Sequence, residues 1–475
     1  MTRRRVVVLG GGACGLSAAF ALAQNGAQPI VLEAEPRPGG LCGTVERDGF
    51  RFDFGGHRFI TRNREIDAMV RELVGDELLE RTRSSIILNG GRRFRYPLAL
   101  DDVLASGGLA RGARSIASYA IARVRHGVSP APDVSFEDWV SRRFGRYLYD
   151  SFFGPYTEKL WGVPPTKISS DWASQRISLL SASDVLWRLF GLRRGGARTY
   201  ARRYLYPRKG IGQIFNRMAI ATSERGGDVR LGARVIGLDT RAGKIRAVRF
   251  RDASGEHEIG CDAVISTISL PLLARMLGGM TEAASGSARR LRFRAIRLLN
   301  ILLDGASVTP HTWMYVSDPA HIMTRIQEPR HRSPEMAPPG MTSLMLEIPC
   351  EIGDQTWRAT DEALYERCVG DLTSLGLPGL RDRTRSFFST FVSEGYPVYH
   401  LEYERDRAQL LAHVSATRNV VTCGRQGAFR YVFMDTAMEM GLAAAAWAMG
   451  DARAGASITE MRAERELLET SALTA

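Results

Sequence analysis

The opening segment of the chain has the order of elements that binds a dinucleotide. Residues 6–9 (VVVL) form an apolar run typical of a buried parallel strand, residues 13–24 form an alanine-rich helix, and residues 29–33 (PIVLE) predict a second strand. The loop between the first strand and the helix, residues 10–15, reads GGGACG and satisfies GxGxxG. This βαβ unit predicts an α/β fold with a dinucleotide at the carboxyl end of the strands.

Each fixed position of the motif has a physical role. Gly10 permits the tight turn, Gly12 lets the backbone approach a pyrophosphate, and Gly15 allows the helix to pack closely on the strand. The N-terminus of the helix presents backbone N–H groups to phosphate oxygens. Glu33 closes the second strand, where a carboxylate accepts hydrogen bonds from a ribose.

The length and composition describe a globular chain of more than one domain. With 475 residues, 44% of them hydrophobic and 24% charged, the chain is neither disordered nor a disulfide-dense mini-protein. Only four of the 64 basic residues are lysines, and the net charge is +13. So many arginines favour an anionic partner, although a GC-rich genome produces the same bias.

The cysteines and the apolar segments indicate a cytoplasmic protein. The six cysteines are scattered without a CxxC pair or a histidine at zinc-ligand spacing, which favours reduced thiols and no metal. Glycines interrupt the apolar run after the N-terminal arginines, so no secretory signal is expected. No stretch reaches the roughly 20 apolar residues that a membrane-spanning helix needs.

Motifs beyond the βαβ unit resemble those of one group of flavoproteins. The glycine pair of residues 38–40 follows Glu33 closely, as in flavoproteins of the amine oxidase and protoporphyrinogen oxidase superfamily. Further segments occur in the order found in the UDP-galactopyranose mutase family, and GPYTEKLWG is the most specific of them. They are DFGGHRFIT at 53–61, GPYTEKLWG at 154–162, SQRI around Arg176, FRAIR at 293–297, TRIQEPRH at 324–331 and GRQGAFRYVFMD at 424–435.

The resemblance implies a fold and a domain order. We expect an α/β protein with a two-dinucleotide-binding, Rossmann-like FAD domain and an inserted helical and β-sheet substrate domain. The FAD domain is expected to be discontinuous, at 1–62, 204–270 and 415–455. A mainly helical substrate or lid domain at 63–203, a substrate-domain sheet at 271–414 and a loose tail at 456–475 complete the chain.

The resemblance also implies which residues bind the cofactor and the substrate. His57 is expected beside the flavin ring, and Arg176 and Arg294 are expected to clamp a diphosphate and to act with His57 in catalysis. The cofactor-binding residues are expected to be Gly10, Gly12, Gly15, Glu33, Arg37, Gly39, Gly40, Gly56, Arg425 and Asp435, the last capping the final helix. The substrate-binding residues are expected to be Phe152, Tyr156, Trp161, Arg176, Arg294, Arg325, Tyr396 and Tyr431, the first three as an aromatic pocket for the base.

Three positions depart from the family pattern. Met323 stands where the family has tyrosine, Phe433 where it has aspartate, and Arg58 where it has an apolar residue. Met323 and Phe433 predict a more apolar pocket, which leaves open a different nucleotide sugar or a more apolar substrate.

The leading hypothesis is an FAD-dependent nucleotide-sugar pyranose/furanose mutase that acts through reduced flavin, with NAD(P)H as a candidate external reductant. The alternative is an FAD-dependent oxidoreductase, similar to protoporphyrinogen oxidase, the desaturases or the amine oxidases. A third class is a flavin-binding protein without catalysis, or a basic adaptor. We expect an anionic small-molecule substrate and no nucleic acid. The basic cluster at 187–209 is compatible with peripheral membrane contact, and a homodimer is compatible with the sequence.

Overall fold

The chain contains both helices and strands, and several of each follow one another directly in the sequence. The computed structural model describes residues 4–96, 100–128, 132–177 and 203–460. The strands are β1 (Arg5–Leu9), β2 (Gln28–Leu32), β3 (Thr44–Arg47), β4 (Phe50–Asp53), β5 (Leu78–Thr82), β6 (Ser85–Asn89), β7 (Arg92–Arg95), β8 (Arg203–Pro207), β9 (Asp228–Arg230), β10 (Arg234–Arg241), β11 (Lys244–Asp252), β12 (Gly255–Gly260), β13 (Ala263–Ser266), β14 (Phe293–Asp304), β15 (Trp313–Val316), β16 (Arg325–Gln327), β17 (Met341–Cys350), β18 (Thr384–Pro397) and β19 (Val420–Thr422). The helices are α1 (Ala13–Gln24), α2 (Arg64–Val74), α3 (Leu100–Val128), α4 (Phe136–Phe144), α5 (Arg146–Leu148), α6 (Gly154–Trp161), α7 (Ser170–Ile177), α8 (Gly212–Glu224), α9 (Leu270–Leu277), α10 (Glu282–Arg290), α11 (Gln355–Arg358), α12 (Asp361–Ser374), α13 (Leu380–Arg383), α14 (Tyr403–Ser415), α15 (Gly424–Gly427), α16 (Met434–Ala448) and α17 (Ala452–Glu460).

A five-stranded parallel sheet forms the first layer, in the order β19-β13-β1-β2-β9. Its strands lie within the three segments predicted for the FAD domain, and the predicted α/β fold class is confirmed. β1, β2 and β13 are buried almost throughout because helices cover the sheet. α1 packs on α16 so closely that a Cβ atom on Gly441 would overlap the carbonyl oxygen of Cys14.

A seven-stranded sheet forms the second layer, in the order β18-β14-β17-β16-β15-β6-β7. β14 and β17 are buried almost throughout, and both lie within the segment 271–414 that is predicted to be a substrate-domain sheet. One face packs on α12 through residues such as Leu299 and Leu372. The other face carries Ile296, Leu298 and Tyr396 and packs against the core that reaches α4, α6 and α7.

Two details differ from the sequence-based expectation. β6 and β7 join the substrate sheet, although they belong to the segment predicted to be mainly helical. α17 extends to Glu460, so the first residues of the predicted loose tail are helical. Residues 178–202, which hold most of the basic cluster, lie outside the described residues. Among the described helices, none is long and apolar enough to cross a membrane.

Candidate functional site

Two cavities meet at the carboxyl end of the parallel sheet. The first, about 390 Å³, is bordered by the loops that follow β1, β2, β13 and β19. The second, about 320 Å³, lies between the seven-stranded sheet and the helices α4, α6 and α7. We call them the dinucleotide cavity and the substrate cavity. They are adjacent, because both are lined by Leu41, Phe54, His57, Val392, Arg425, Phe433 and Met434.

The glycine loop of the dinucleotide cavity requires glycine for steric reasons. Gly10 has φ +100°, a conformation that L side chains rarely adopt. A Cβ atom on Gly15 would overlap the carbonyl oxygen of Gly10, so helix α1 can begin this close to β1 only without a side chain. Gly39 donates its N–H to the carbonyl oxygen of Gly11 at 2.8 Å, which joins the second glycine pair to the first loop.

Glu33 is buried at the end of β2 and organises the same loop. Its carboxylate accepts the N–H of Gly11 at 2.6 Å and the N–H of Glu35 at 2.8 Å. Burial raises the pKa of this carboxyl, while the two backbone donors lower it. Each oxygen keeps a second lone pair, so the group can still accept a hydrogen bond from a ribose hydroxyl.

Arg37, Gly40 and Asp435 also border the two cavities. The Arg37 guanidinium lies 4.6 Å from the Phe54 ring centroid, and Gly40 packs against Gly12. Asp435 is 3% exposed and belongs to the first turn of α16. The N-cap of that helix is Phe433, so the prediction that Asp435 caps it is wrong by two residues.

His57 lies at the junction of the two cavities. A Cβ atom on Gly56 would come within 2.6 Å of the Trp313 ring, so this loop passes the indole without room for a side chain. Burial, together with the charges of Arg425, Arg332 and Arg325, lowers the pKa of His57 to about 3. Among the described residues, its Nδ1 atom is buried without a hydrogen-bond partner, while the residue lines both cavities.

A buried carboxylate supports this loop from below. Asp53 accepts hydrogen bonds from the Tyr206 hydroxyl at 2.6 Å, from Thr44 at 2.7 Å and from the N–H of Ile211 at 3.1 Å. These partners come from β3, β8 and the start of α8. The network fixes the end of β4 and thereby the position of the loop that carries His57.

Three polar groups form a cluster on the wall of the substrate cavity. Arg325 Nη1 donates to both carboxylate oxygens of Glu347, at 2.7 and 3.0 Å, and to the Tyr396 hydroxyl at 2.9 Å. Tyr396 in turn donates to Glu347 at 2.8 Å. Arg325 and Glu347 are directly paired across β16 and β17, so the sheet register brings their side chains to one face. We call this cluster the Arg325 cluster.

Aromatic rings enclose the rest of the substrate cavity. Tyr396 and Tyr431 stack at 5.8 Å, and the Arg425 guanidinium lies 4.5 Å from the Tyr431 ring centroid. Tyr156 lies edge-on to Tyr315 at 6.3 Å, and burial raises the pKa of Tyr156 to about 12. The cavity therefore combines flat apolar surfaces with guanidinium groups, which suits a ligand with an aromatic ring and an anionic group.

The structure brings most, but not all, of the predicted substrate residues together. Phe152, Tyr156, Arg325, Tyr396 and Tyr431 line the substrate cavity, beside His57 and Arg425. Arg294 and Trp161 are not among the described residues that line either cavity. Residue 176 belongs to α7, but its side chain lies outside the described residues.

Arg294 and Trp161 lie in a layer behind the cavity wall. Arg294 donates to the carbonyl oxygen of Leu160 at 3.2 Å and to Glu351 at 2.7 Å. Trp161 is 1% exposed and its ring lies 6.0 Å from Tyr396 and 4.7 Å from Trp172. In this arrangement they support residues of the wall, and their assignment to the substrate stays a prediction.

Several lining residues were missed from the sequence. Glu347 is the only charged residue of β17, and a lone carboxylate in an apolar strand is the signal that could have found it. Tyr315 and Trp172 line the cavity without any local motif. Among the departures from the family, Phe433 and Arg58 do line the cavity. Met323 does not, because it is buried on the opposite side of the sheet with Ile326 and Leu346, so its predicted effect on the pocket is wrong.

Comparison with known proteins gives the family. The model of the flavin-containing amine oxidoreductases matches residues 13–448. The chain belongs to this family of flavoenzymes. Phytoene dehydrogenase of Streptomyces griseus is 26% identical, over 79% of this chain and 79% of its own. Coproporphyrinogen III oxidase of Mycobacterium bovis is 25% identical over 66% of this chain and 69% of its own.

Solved structures share the fold over nearly the whole chain. A reduced UDP-galactopyranose mutase superposes with a TM-score of 0.85 at 22% identity, covering 98% of this chain and 99% of its own. A putative protoporphyrinogen oxidase from Exiguobacterium superposes with a TM-score of 0.69 at 17% identity, covering 94% of this chain and 100% of its own. Putrescine oxidase bound to putrescine superposes with a TM-score of 0.64 at 18% identity, covering 94% of this chain and 99% of its own. The predicted membership of the amine oxidase superfamily is confirmed.

The residues of the dinucleotide cavity fit a flavin cofactor. Gly10 and Gly12 present their backbone to this cavity without side chains, and Glu33 can accept hydrogen bonds from a ribose. His57 and Arg425 border both this cavity and the substrate cavity. A flavin in the dinucleotide cavity would therefore lie beside the substrate cavity.

Proposed function

We propose that this protein is a flavin-dependent mutase that rearranges the sugar ring of a nucleoside diphosphate sugar. The observation that carries the proposal is the substrate cavity itself, in which Arg325 and Arg425 lie among stacked tyrosines beside the dinucleotide cavity. The fold similarity to a reduced UDP-galactopyranose mutase supports the same assignment.

The charges of the cavity suit a diphosphate. Arg325 is held by Glu347 and Tyr396, so its guanidinium has a fixed direction before a ligand arrives. Arg425 is held by the carbonyl oxygens of Val432 and Gly395, at 2.7 and 3.3 Å. Neither of those carbonyls neutralises its charge, so Arg425 offers a full positive charge to an anionic group.

The aromatic walls suit the base and the sugar. Phe152 and Tyr156 lie on the side of the cavity formed by α6 and the turn before it, where a base can lie against their rings. Tyr431 lies beside Arg425 and stacks on Tyr396, and the hydroxyl groups of the two tyrosines can hydrogen-bond a sugar.

A bound flavin, when reduced, supplies a nucleophile for the anomeric carbon of the sugar. The contribution of the chain is to orient the ligand, to exclude water with the aromatic walls, and to hold anionic groups with arginine. His57, kept neutral by its surroundings, can accept or donate a hydrogen bond at this point without adding charge.

The test is a panel of UDP-, dTDP- and GDP-sugars, offered to the anaerobic protein after reduction with dithionite or with NADPH. The proposal predicts that at least one sugar is converted between its pyranose and furanose forms, as separated by chromatography. If the reduced protein converts none of them, the proposal fails.

A second candidate function is an oxidation of a small apolar or anionic substrate by the same cofactor. It is supported by the names of the sequence relatives, a phytoene dehydrogenase and a coproporphyrinogen III oxidase, and by Phe433 and Trp313 in the cavity lining. In this case a substrate would bleach the oxidised flavin without added reductant, and oxygen would restore the colour with formation of peroxide.

A further inference from the structure

The described side chains of helix α3, at residues 112–126, pack on the protein through small and polar residues. On its inner side, Ser115 is 2% exposed, and the Ser118 hydroxyl accepts the N–H of Tyr147 at 3.0 Å. A Cβ atom on Gly145 would lie 2.7 Å from Ser118, so the contact with the following helices is close. The helix thus packs on the protein with its polar face, whereas a surface helix usually turns its polar face to solvent and buries its apolar face.

The outer side of α3 between residues 113 and 124 is apolar. Ile116, Ile121 and Val124 are 50%, 52% and 65% exposed, which is unusual for large aliphatic side chains on one helix. The remaining members of the stripe are alanines, and the six positions follow the spacing of three and four residues that places side chains on one face. We call this face the α3 stripe, and its residues are Ala113, Ile116, Ala117, Ala120, Ile121 and Val124.

Basic residues flank the α3 stripe. Arg114, Arg123 and Arg125 are exposed beside it, and the sequence contains no aspartate or glutamate between Asp102 and Asp133. An apolar helical face bordered by arginines is the arrangement that binds at the boundary between lipid headgroups and acyl chains. The arginines also contribute an attraction to anionic headgroups.

We propose that the α3 stripe docks on the surface of an anionic lipid bilayer, with the helix lying parallel to it. The charges argue against a second copy of the chain as the occupant, because a pair of stripes would bring arginines together without carboxylates to neutralise them. The segment 187–209 of the same chain is also basic and has no carboxylate, so it does not complement these arginines.

The docked helix is connected directly to the substrate cavity. α3 packs on α4 and α5, and the chain continues from α5 into the turn and helix that carry Phe152 and Tyr156. Docking would therefore hold the cavity close to the membrane surface. This role is independent of which reaction the flavin site catalyses.

The test is co-sedimentation of the flavin-loaded protein with vesicles of phosphatidylcholine, alone or mixed with phosphatidylglycerol. Binding is expected to the mixed vesicles and to be weaker at high salt. The variant I116E/I121E is expected to lose binding at least about tenfold, since the two charged side chains replace apolar groups that enter the bilayer. R123Q/R125Q is expected to lose about fivefold for each arginine.

The matched control is Ile352→Glu, because Ile352 is 61% exposed and lies outside α3. It should bind vesicles as the unchanged protein does, and all variants should keep the flavin spectrum. Binding that persists in I116E/I121E, or no binding to the mixed vesicles, would overturn the proposal. So would a dimer in light scattering that I116E/I121E converts to a monomer while vesicle binding is absent.

Discussion

Arg325 and Glu347 form a buried ion pair at the wall of the substrate cavity, with Nη1 of the arginine 2.7 and 3.0 Å from the two carboxylate oxygens. Glu347 is 1% exposed, and Tyr396 hydrogen-bonds to both partners. The pair has two consequences. It fixes the direction of the guanidinium. It also means that a ligand bound by Arg325 shares this guanidinium with the Glu347 carboxylate.

Removal of this carboxylate should destabilise the protein. Glu347→Ala leaves the Arg325 charge buried without its partner, and we expect the free energy of unfolding to fall by about 3 to 5 kcal/mol in urea titrations. The matched control is Glu366→Ala, which breaks the exposed pair with Arg381 and should change stability little. Equal losses of unfolding free energy in the two variants would show that the buried pair stabilises the protein no more than the exposed pair does.

Substitution of the two candidate arginines should separate their roles. Arg325 lines the substrate cavity, whereas Arg294 lies behind it in contact with Glu351. We expect Arg325→Ala to weaken binding of UDP or the preferred nucleoside diphosphate by about 2 to 5 kcal/mol, measured by calorimetry. Arg294→Ala should weaken it less. A larger loss of nucleotide binding in Arg294→Ala would support the assignment of Arg294 to the diphosphate that the family resemblance implies.

The low pKa of His57 should appear in the pH dependence of stability. The imidazole titrates near 6.5 in the unfolded chain and at about 3 in the folded protein, so protons bind preferentially to the unfolded state between these values. The free energy of unfolding should therefore fall as the pH drops below about 6.5, by about 2 kcal/mol at pH 5. His57→Asn should lack this component, and identical pH profiles for the two proteins would contradict the burial of a neutral ring.

The glycine loop offers a steric test of cofactor binding. A Cβ atom on Gly15 would overlap the backbone of Gly10, so we expect Gly15→Ala to be purified with little or no flavin absorbance. Gly370→Ala is the control, since Gly370 is an exposed glycine of α12 with no atom near the added Cβ. That change should keep the flavin and raise stability by up to about 1 kcal/mol. Full flavin content in Gly15→Ala would contradict the loop's role.

The dinucleotide cavity was predictable because its signals are local. The apolar run, the glycine loop and the acid at Glu33 are contiguous in the sequence, and the structure has β1, α1 and β2 within one residue of the predicted bounds. The positive φ of Gly10 and the close contact at Gly15 both require glycine, which explains why the motif places glycines at these two positions.

The substrate cavity was less predictable because the sheet register assembles it. Tyr315, Arg325 and Glu347 lie side by side on β15, β16 and β17, but each strand's position is set by pairings that the sequence does not reveal. Arg294 illustrates the limit. It is paired with Tyr396 across β14 and β18, yet its guanidinium is held by Glu351 and the end of α6.

The proposed reaction rearranges the sugar ring of a nucleoside diphosphate sugar without net oxidation. The most direct measurement follows the pyranose and furanose forms of the best-bound nucleoside diphosphate sugar under anaerobic conditions, with the protein fully reduced or fully oxidised, while the flavin absorbance is recorded. We expect interconversion by the reduced protein alone, with the flavin unchanged at the end. Bleaching of the oxidised flavin by the sugar or by an apolar substrate, with an oxidised product and no change of ring form, would contradict it.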